Sequence, residues 1–338
     1  MKVAKWMCSK FICAGISALA LVGCAGTRAD GPSLQTVRVI SLPGRPLPIV
    51  AAESQGIFAK YGVAVQFQSA DSSDVLRVDL ANGKADVAVA AVDNAVAMVE
   101  TAGVDAIIVM GGERTVNELI VQSEIHSISE LRGKTVIVDA TNTAFALQLK
   151  KILLLNSLQA GRDYQIKPIG ASPLRLAAMR EHKEYAGTML GPPASVLAKR
   201  DGFVSLGSTL KFIGPYQGSG SFVLRGWARA HADVLVRYLA AYLEAQRWIL
   251  APANKRKVIE LLIKEAKLPP AAAEETYSLT TQGAGGYAED ARMDLDGFKN
   301  VLKLRAEIEG QWGGQPPTPD KYYDAEYYQQ ALTQKPPK

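Results

Sequence analysis

Polar residues able to hold a ligand recur in this sequence at short turns, each between an apolar run and a helix-like stretch. Asp139-Ala140-Thr141-Asn142-Thr143 follows the β-branched run Thr135–Val138 and precedes residues 144–158, whose apolar spacing is helical. Thr141, Asn142 and Thr143 are good helix-start residues. The first N–H groups of such a helix point out of the carboxyl end of a strand, where an anion or carbonyl can be held. The same residues can equally be plain helix caps. Ser72 with Ser73, and Asp93 with Asn94, stand at corresponding turns. Arg45 and Arg114 can pair with an oxyanion, while Asp93 can select an amine or a heterocyclic N–H. Arg114 can equally be a surface charge at a crossing.

Motifs for other chemistry fail on detail. Gly133-Lys134-Thr135 has Ile128 where a phosphate loop needs its first glycine, and a strand follows where a helix is required. Gly218-Ser219-Gly220 has Val223 in place of the third glycine of a dinucleotide fingerprint and reads as a hinge. Gly170-Ala171-Ser172-Pro173-Leu174 lacks the closing glycine of a nucleophile elbow. His126, His182 and His231 are scattered singly, so no metal site is expected. Asp93 and Glu113 can act as bases, but nothing beside them supplies a nucleophile or a second carboxylate at catalytic spacing.

The 338 residues carry 38 Lys and Arg against 33 Asp and Glu. Removing Lys2, Lys5 and Lys10 with a leader leaves 35 against 33, and no basic block interleaved with aromatics remains. Nucleic acid is therefore not expected as a partner. Residues 1–23 read as an export signal, with those lysines as its positive region and residues 11–22 as an apolar run too short to span a bilayer. Leu21-Val22-Gly23-Cys24 looks like a lipoprotein signal, in which Cys24 is acylated and anchors the chain to a membrane; cleavage after Ala29 is the competing reading. Either way the protein works in the periplasm or cell envelope. Cys8 and Cys13 leave with the leader, which excludes an internal disulfide.

These turns need elements to position them. Residues 24–36 are a small, polar tether. Strands are predicted over 37–42, 63–67, 86–91 and 105–110, with helices over 49–60, 75–81 and Asp93–Ala102 between them. A glycine-led crossing at 111–115 opens a second alternation, with strands Thr135–Val138, 164–169 and 187–190 and helices 144–158, 173–180 and 192–200. Residues 203–206 and 210–213 finish it. A second crossing near Tyr216 leads to strand 222–224, four helices to residue 309, and a tyrosine-rich tail that straps along the surface. Such alternation predicts parallel sheets whose strand-to-helix turns share one edge, where ligands sit. Two α/β lobes joined by two crossings make a clamshell: lobe I is 37–113 plus 220–310, lobe II is 114–219, and 311–338 is a C-terminal tail.

Three stretches carry a family likeness: Gly56-Ile57-Phe58-Ala59-Lys60-Tyr61-Gly62-Val63, Leu80-Ala81-Asn82-Gly83-Lys84-Ala85-Asp86-Val87-Ala88, and Ile128-Ser129-Glu130-Leu131-Arg132-Gly133-Lys134-Thr135-Val136. With Gly191-Pro192-Pro193 and the weaker Ala251-Pro252-Ala253-Asn254, the chain resembles the solute-binding proteins of the nitrate, sulfonate and taurine class of bacterial uptake transporters, which share a fold with thiamine-precursor synthases. The resemblance implies an α/β, two-lobed periplasmic-binding-protein type II fold with a ligand cleft between the lobes. It implies a monomer that captures a small polar, anionic solute such as a sulfonate, nitrate or carboxylate, with ABC permease and ATPase subunits as partners. Carried over by position, the ligand contacts are Arg45, Ser72, Ser73, Asp93, Asn94, Thr141, Asn142, Thr143, Gly191, Pro192, Tyr216 and Gln217, with Tyr216 able to stack on the ligand.

Two departures from that family matter. Glu184-Tyr185-Ala186-Gly187 stands where it has glycine-x-x-aspartate-alanine, and the mature chain lacks the histidine and cysteine cluster that the synthase branch needs. The expectation is a binding protein without catalytic residues, cofactor or metal. The alternative is a periplasmic enzyme, pyrimidine-synthase-like or a hydrolase, using the same cleft.

Overall fold

Short β-branched and alanine-rich runs form ten strands: β1 Gln35–Ser41, β2 Val63–Ser69, β3 Val87–Ala91, β4 Ala106–Met110, β5 Glu118–Val121, β6 Thr135–Val138, β7 Gln165–Pro168, β8 Tyr185–Leu190, β9 Val204–Ser208 and β10 Ser219–Leu224. They are seen in a computed structural model that describes residues 34–337. The leader, Cys24 and the tether as far as residue 33 lie outside the described residues. The strands make two five-stranded sheets in the orders β2-β1-β3-β10-β4 and β7-β6-β8-β5-β9, each packed with its own helices into one lobe. β1 begins at Gln35, inside the expected tether, because the Gln35 N–H donates to the Gly62 carbonyl and so opens the pairing with β2.

The sheets are mixed, not parallel as expected. β10 runs antiparallel between β3 and β4, and β5 runs antiparallel between β8 and β9. The reason is topological. The chain passes straight from β4 into β5, and from β9 through one short helical turn back to β10; these crossings between the sheets insert a strand pointing the other way, whereas full helical crossovers within a sheet keep strands parallel. The two crossings are also paired with each other. Ser219 N–H donates to the Glu113 carbonyl, Thr115 N–H donates to that of Tyr216, and Arg114 bridges Gln217 antiparallel. Gly218 allows this approach, since a Cβ there would stand 2.9 Å from the Glu113 carbonyl oxygen and 3.0 Å from that of Arg114.

Three further differences have local causes. The helix expected over 49–60 is split into Leu47–Ser54 and Ile57–Lys60, because Gly56 between them takes φ +66, the left-handed region that ends a helix. Residues Thr209–Ile213 form a helical turn rather than a strand, started by Ser208, whose hydroxyl accepts from the Lys211 N–H. The tail does more than strap. Tyr322 is fully buried against Phe298, Tyr323 bridges Ile108 at the edge of β4, and Glu326–Thr333 forms a helix. Under the first sheet the apolar face of helix Ala232–Leu250 contributes Leu235, Leu239 and Leu243 to a core shared with helix Leu47–Ser54.

Candidate functional site

The paired crossings form the floor of a cavity of about 230 Å³ that both sheets help to line. The first sheet contributes Ser41 at the end of β1, the loop through Pro46, and Val89–Ala91 at the end of β3. The second contributes Phe145 and Gln148 from the start of helix Ala144–Leu155, and Ser172 from the start of helix Ser172–Glu181. Between them lie Glu113, Thr115, Asn117 and Ser219 from the crossings, and Tyr287 from a strap that bridges Glu113. This is the carboxyl edge at which open α/β sheets bind ligands. The lining is rich in amides and hydroxyls that can donate or accept.

Glu113 is the unusual member. Its backbone is pinned on both sides: its N–H donates to Ser219 Oγ (3.1 Å) and its carbonyl accepts from Ser219 N–H (2.9 Å) and Gln217 Nε2 (3.3 Å). Glu113 lines both the main cavity and a second hollow of about 200 Å³, to which Arg45, Leu47, Pro192 and Leu261 also contribute. Burial alone pushes its carboxyl up to about 8, with no hydrogen bond or cation to offset it. Tyr242 and Tyr287 lie close by, and the Glu113 charge adds to burial in raising both phenols.

Most of the turn residues expected to hold a ligand come together, but they bind each other. Ser73 and Thr143 line the cavity, yet their hydroxyls both donate to one buried carboxylate, Asp139, at 2.7 Å and 2.6 Å. Asp93 is fully buried and pairs with Arg305 at 2.7 Å, and burial still holds its carboxyl above the usual range. Arg305 also donates to Asn142 Oδ1 (2.5 Å), while Arg77 donates to Asn94 Oδ1 (3.2 Å) and to the Asn142 carbonyl (2.9 Å). Arg77 and Arg305 belong to the first lobe and Asn142 to the second. Lys150–Glu309 and Lys151–Glu307 extend the seam. This arrangement is a latch between the lobes, and Asp93, Asn94, Thr141 and Asn142 do not line the cavity as expected.

The remaining expected contacts scatter. Ser72 caps helix Ser73–Ala81 by accepting from the Val75 N–H. Thr141 is exposed, and its carbonyl accepts from Lys150. Arg45 is exposed, paired with both oxygens of Glu53 and stacked 4.8 Å over the Phe67 ring; it lines only the second hollow, as does Pro192. Gly191 backs onto Asn117, where a Cβ would stand 2.7 Å from the amide oxygen. Tyr216 is buried beside Asp93 and Gln148 rather than facing a ligand, and burial holds its phenol well above its ordinary range. Gln217 ties the crossings down, donating to the Ser219 and Glu113 carbonyls and accepting from Asp294 N–H. Arg114 turns to Asp294 (3.8 Å) and the Ala284 carbonyl (3.4 Å).

Sequence reasoning missed Thr115, Asn117, Gln148 and Tyr287. Gln148 had a signal, lying five residues beyond the Thr143 cap; Tyr287 had none, because only tertiary pairing brings it to Glu113. Among the described residues no group of three or more His, Cys, Asp or Glu side chains is placed to hold a metal, and no helix is long and apolar enough to cross a membrane.

Residues 43–263 match the model of the NMT1-like family. No curated protein matches the sequence. Solved structures similar across most of the chain include the following three. The periplasmic nitrate-binding protein NrtA of Synechocystis PCC 6803 is 15% identical, with a TM-score of 0.72 over 90% of this chain and 89% of that one. The alkanesulfonate-binding protein SsuA of Xanthomonas axonopodis pv. citri, bound to MOPS, is 15% identical, with a TM-score of 0.69 over 87% and 100%. The ligand-binding component of an ABC-type import system of Staphylococcus aureus, with zinc bound, is 14% identical, with a TM-score of 0.72 over 88% and 99%. At such identities the likeness establishes the fold, that of the periplasmic binding proteins.

Proposed function

The chain belongs to the NMT1-like family, and from that membership and the cavity together we propose that it is the solute-binding component of an ABC importer, holding a small polar solute between its lobes and delivering it to a membrane permease and its ATPase. The observation that carries this reading is the shared lining. Ser41 and Ala91 from one lobe, Phe145 and Gln148 from the other, and the crossings between them surround a single space, so one solute touches both lobes and the hinge at once. Binding there biases lobe closure, the signal that a permease can read. The reading places the protein in the periplasm or envelope, held to a membrane through acylated Cys24, as a monomer that binds without turnover.

The named binding proteins of this fold take nitrate and an alkanesulfonate, so small polar solutes are the class to screen. The proposed function is tested by thermal shift of the purified protein against small polar solutes, repeated with Ala91→Trp to fill the cavity. A solute that binds only the native state raises the melting temperature. The expected result is a shift in wild type that Ala91→Trp abolishes; a shift that Ala91→Trp leaves intact puts the site elsewhere. Membrane fractionation of Cys24→Ala tests the anchor, with release to the soluble fraction expected.

A further inference from the structure

The charge of the solute follows from which polar groups around the cavity are already spoken for. An anion needs a free cation or free hydroxyl and N–H donors. Of the two arginines that reach the hollows, Arg45 is held by Glu53 at 2.6 Å, and Arg114 leans away from the cavity toward Asp294 at 3.8 Å and the Ala284 carbonyl at 3.4 Å. The helix-start hydroxyls of Ser73 and Thr143 are occupied by Asp139, which leaves Gln148 Nε2, buried without a partner in the lining, as a neutral donor for a carbonyl or ring nitrogen of a solute. Against this, the two ionisable groups in the shared wall, the Glu113 carboxyl and the Tyr287 phenol, have no side-chain partner, and the one that can carry charge near neutral pH is the carboxyl.

The neighbours of Glu113 make the asymmetry sharper. Tyr287 bridges Glu113 from the strap and lines both hollows with it, and the Tyr242 phenol on helix Ala232–Leu250 is close enough to feel its charge. From its own crossing Arg114 is turned to Asp294, and across the second hollow lie Arg45 and Glu265. Two phenols offer oxygen lone pairs and aromatic faces, both of which attract a cation. The hydrogen bonds on either side of the Glu113 backbone fix the point from which the carboxyl is presented.

Resting on the solute-receptor reading, we propose that the cavity selects a solute carrying a protonated nitrogen, an alkylammonium or a protonated N-heterocycle, and that the Glu113 carboxylate receives it, flanked by Tyr287. The unpaired carboxyl is then half of an ion pair whose other half arrives with the solute. Desolvation is offset only when the site is filled.

The probes are ethanolamine, butylamine and imidazole, with propanol as a neutral isostere and nitrate, ethanesulfonate and acetate as anions, titrated calorimetrically into the purified full-length protein at pH 7. The expected result is that an ammonium or imidazolium probe binds wild type at least about tenfold more tightly than the neutral or anionic probes, about 1.4 kcal/mol. Glu113→Gln should lose that preference. Titration of wild type in two buffers of different ionisation enthalpy should show proton release on binding, because the cation draws Glu113 into its charged form; this readout does not depend on the variant folding. Binding of an anion with proton uptake, or with affinity kept in Glu113→Gln, overturns the inference and leaves the receptor reading standing. Binding that Ala91→Trp does not disturb removes both, as does the failure of every probe to bind wild type.

Discussion

Two clusters of buried polar residues lie within one molecule, and they are built to opposite ends. In the latch, every carboxylate has a donor: Asp139 takes the hydroxyls of Ser73 and Thr143, and Asp93 takes Arg305. In the wall of the cavity, the Glu113 carboxyl has none. The latch is closed by the Arg305 ion pair, although Asp93 Oδ2 is buried without a partner, whereas the Glu113 carboxyl in the cavity wall has neither hydrogen bond nor cation. A dense group of polar residues at strand ends is thus no evidence of a ligand site by itself. What marks the cavity wall is a carboxyl that lines open space with no hydrogen bond or cation of its own, because such a group costs free energy until something supplies a partner.

The contrast can be broken most strongly at Arg305. Arg305→Met leaves Asp93 buried without its cation, and unfolding in urea should show a loss of about 3–5 kcal/mol. If the latch were dispensable, the loss would stay below ~1 kcal/mol, the range of exposed pairs. Glu113→Gln should act in the other direction and with a pH signature. The carboxyl moves from its ordinary 4.5 to about 8 in the folded protein. The folded state therefore holds the extra proton between those values, and the stability this contributes is complete below about pH 4.5 and lost as pH rises through 8. The stability of wild type minus that of Glu113→Gln should fall by up to about 1.4 kcal/mol per pH unit across that window, without solute. A flat difference would mean that the carboxyl is solvated.

Smaller effects sharpen the same contrast. Thr143→Ala removes both a bond to Asp139 and the cap of helix Ala144–Leu155, for a cost of about 1–2 kcal/mol read from the urea midpoint. Arg45→Ala removes a surface pair with Glu53 and the stack on Phe67, and should change stability by about 0–1 kcal/mol. Solute affinity should not move with it; a large loss would return Arg45 to the binding site.

Much of the scaffold could be read from residue pattern. Helix Asp93–Ala102 and strand Thr135–Val138 lie where periodicity and β-branching put them, and Thr143 does start the next helix. The reversed directions of β5 and β10 were hidden, because direction is set by how the chain crosses between sheets and not by local propensity. The site was half legible. The turns at Ser73, Asn94 and Asn142 do converge, but their internal closure depends on Arg77 and Arg305, which read as ordinary helix charges. Arg305 meets Asp93 across 212 residues of chain. Glu113 was visible as a possible base, whereas its isolation is a property of the packed state alone.

The most direct test is calorimetric titration of one solute, found by thermal shift, into Ala91→Trp and Asn142→Ala side by side. The cavity account predicts no measurable heat with Ala91→Trp and a dissociation constant within about threefold of wild type, under ~0.7 kcal/mol, with Asn142→Ala. Full binding to Ala91→Trp together with its loss in Asn142→Ala would contradict it and make the latch the place where the solute is held.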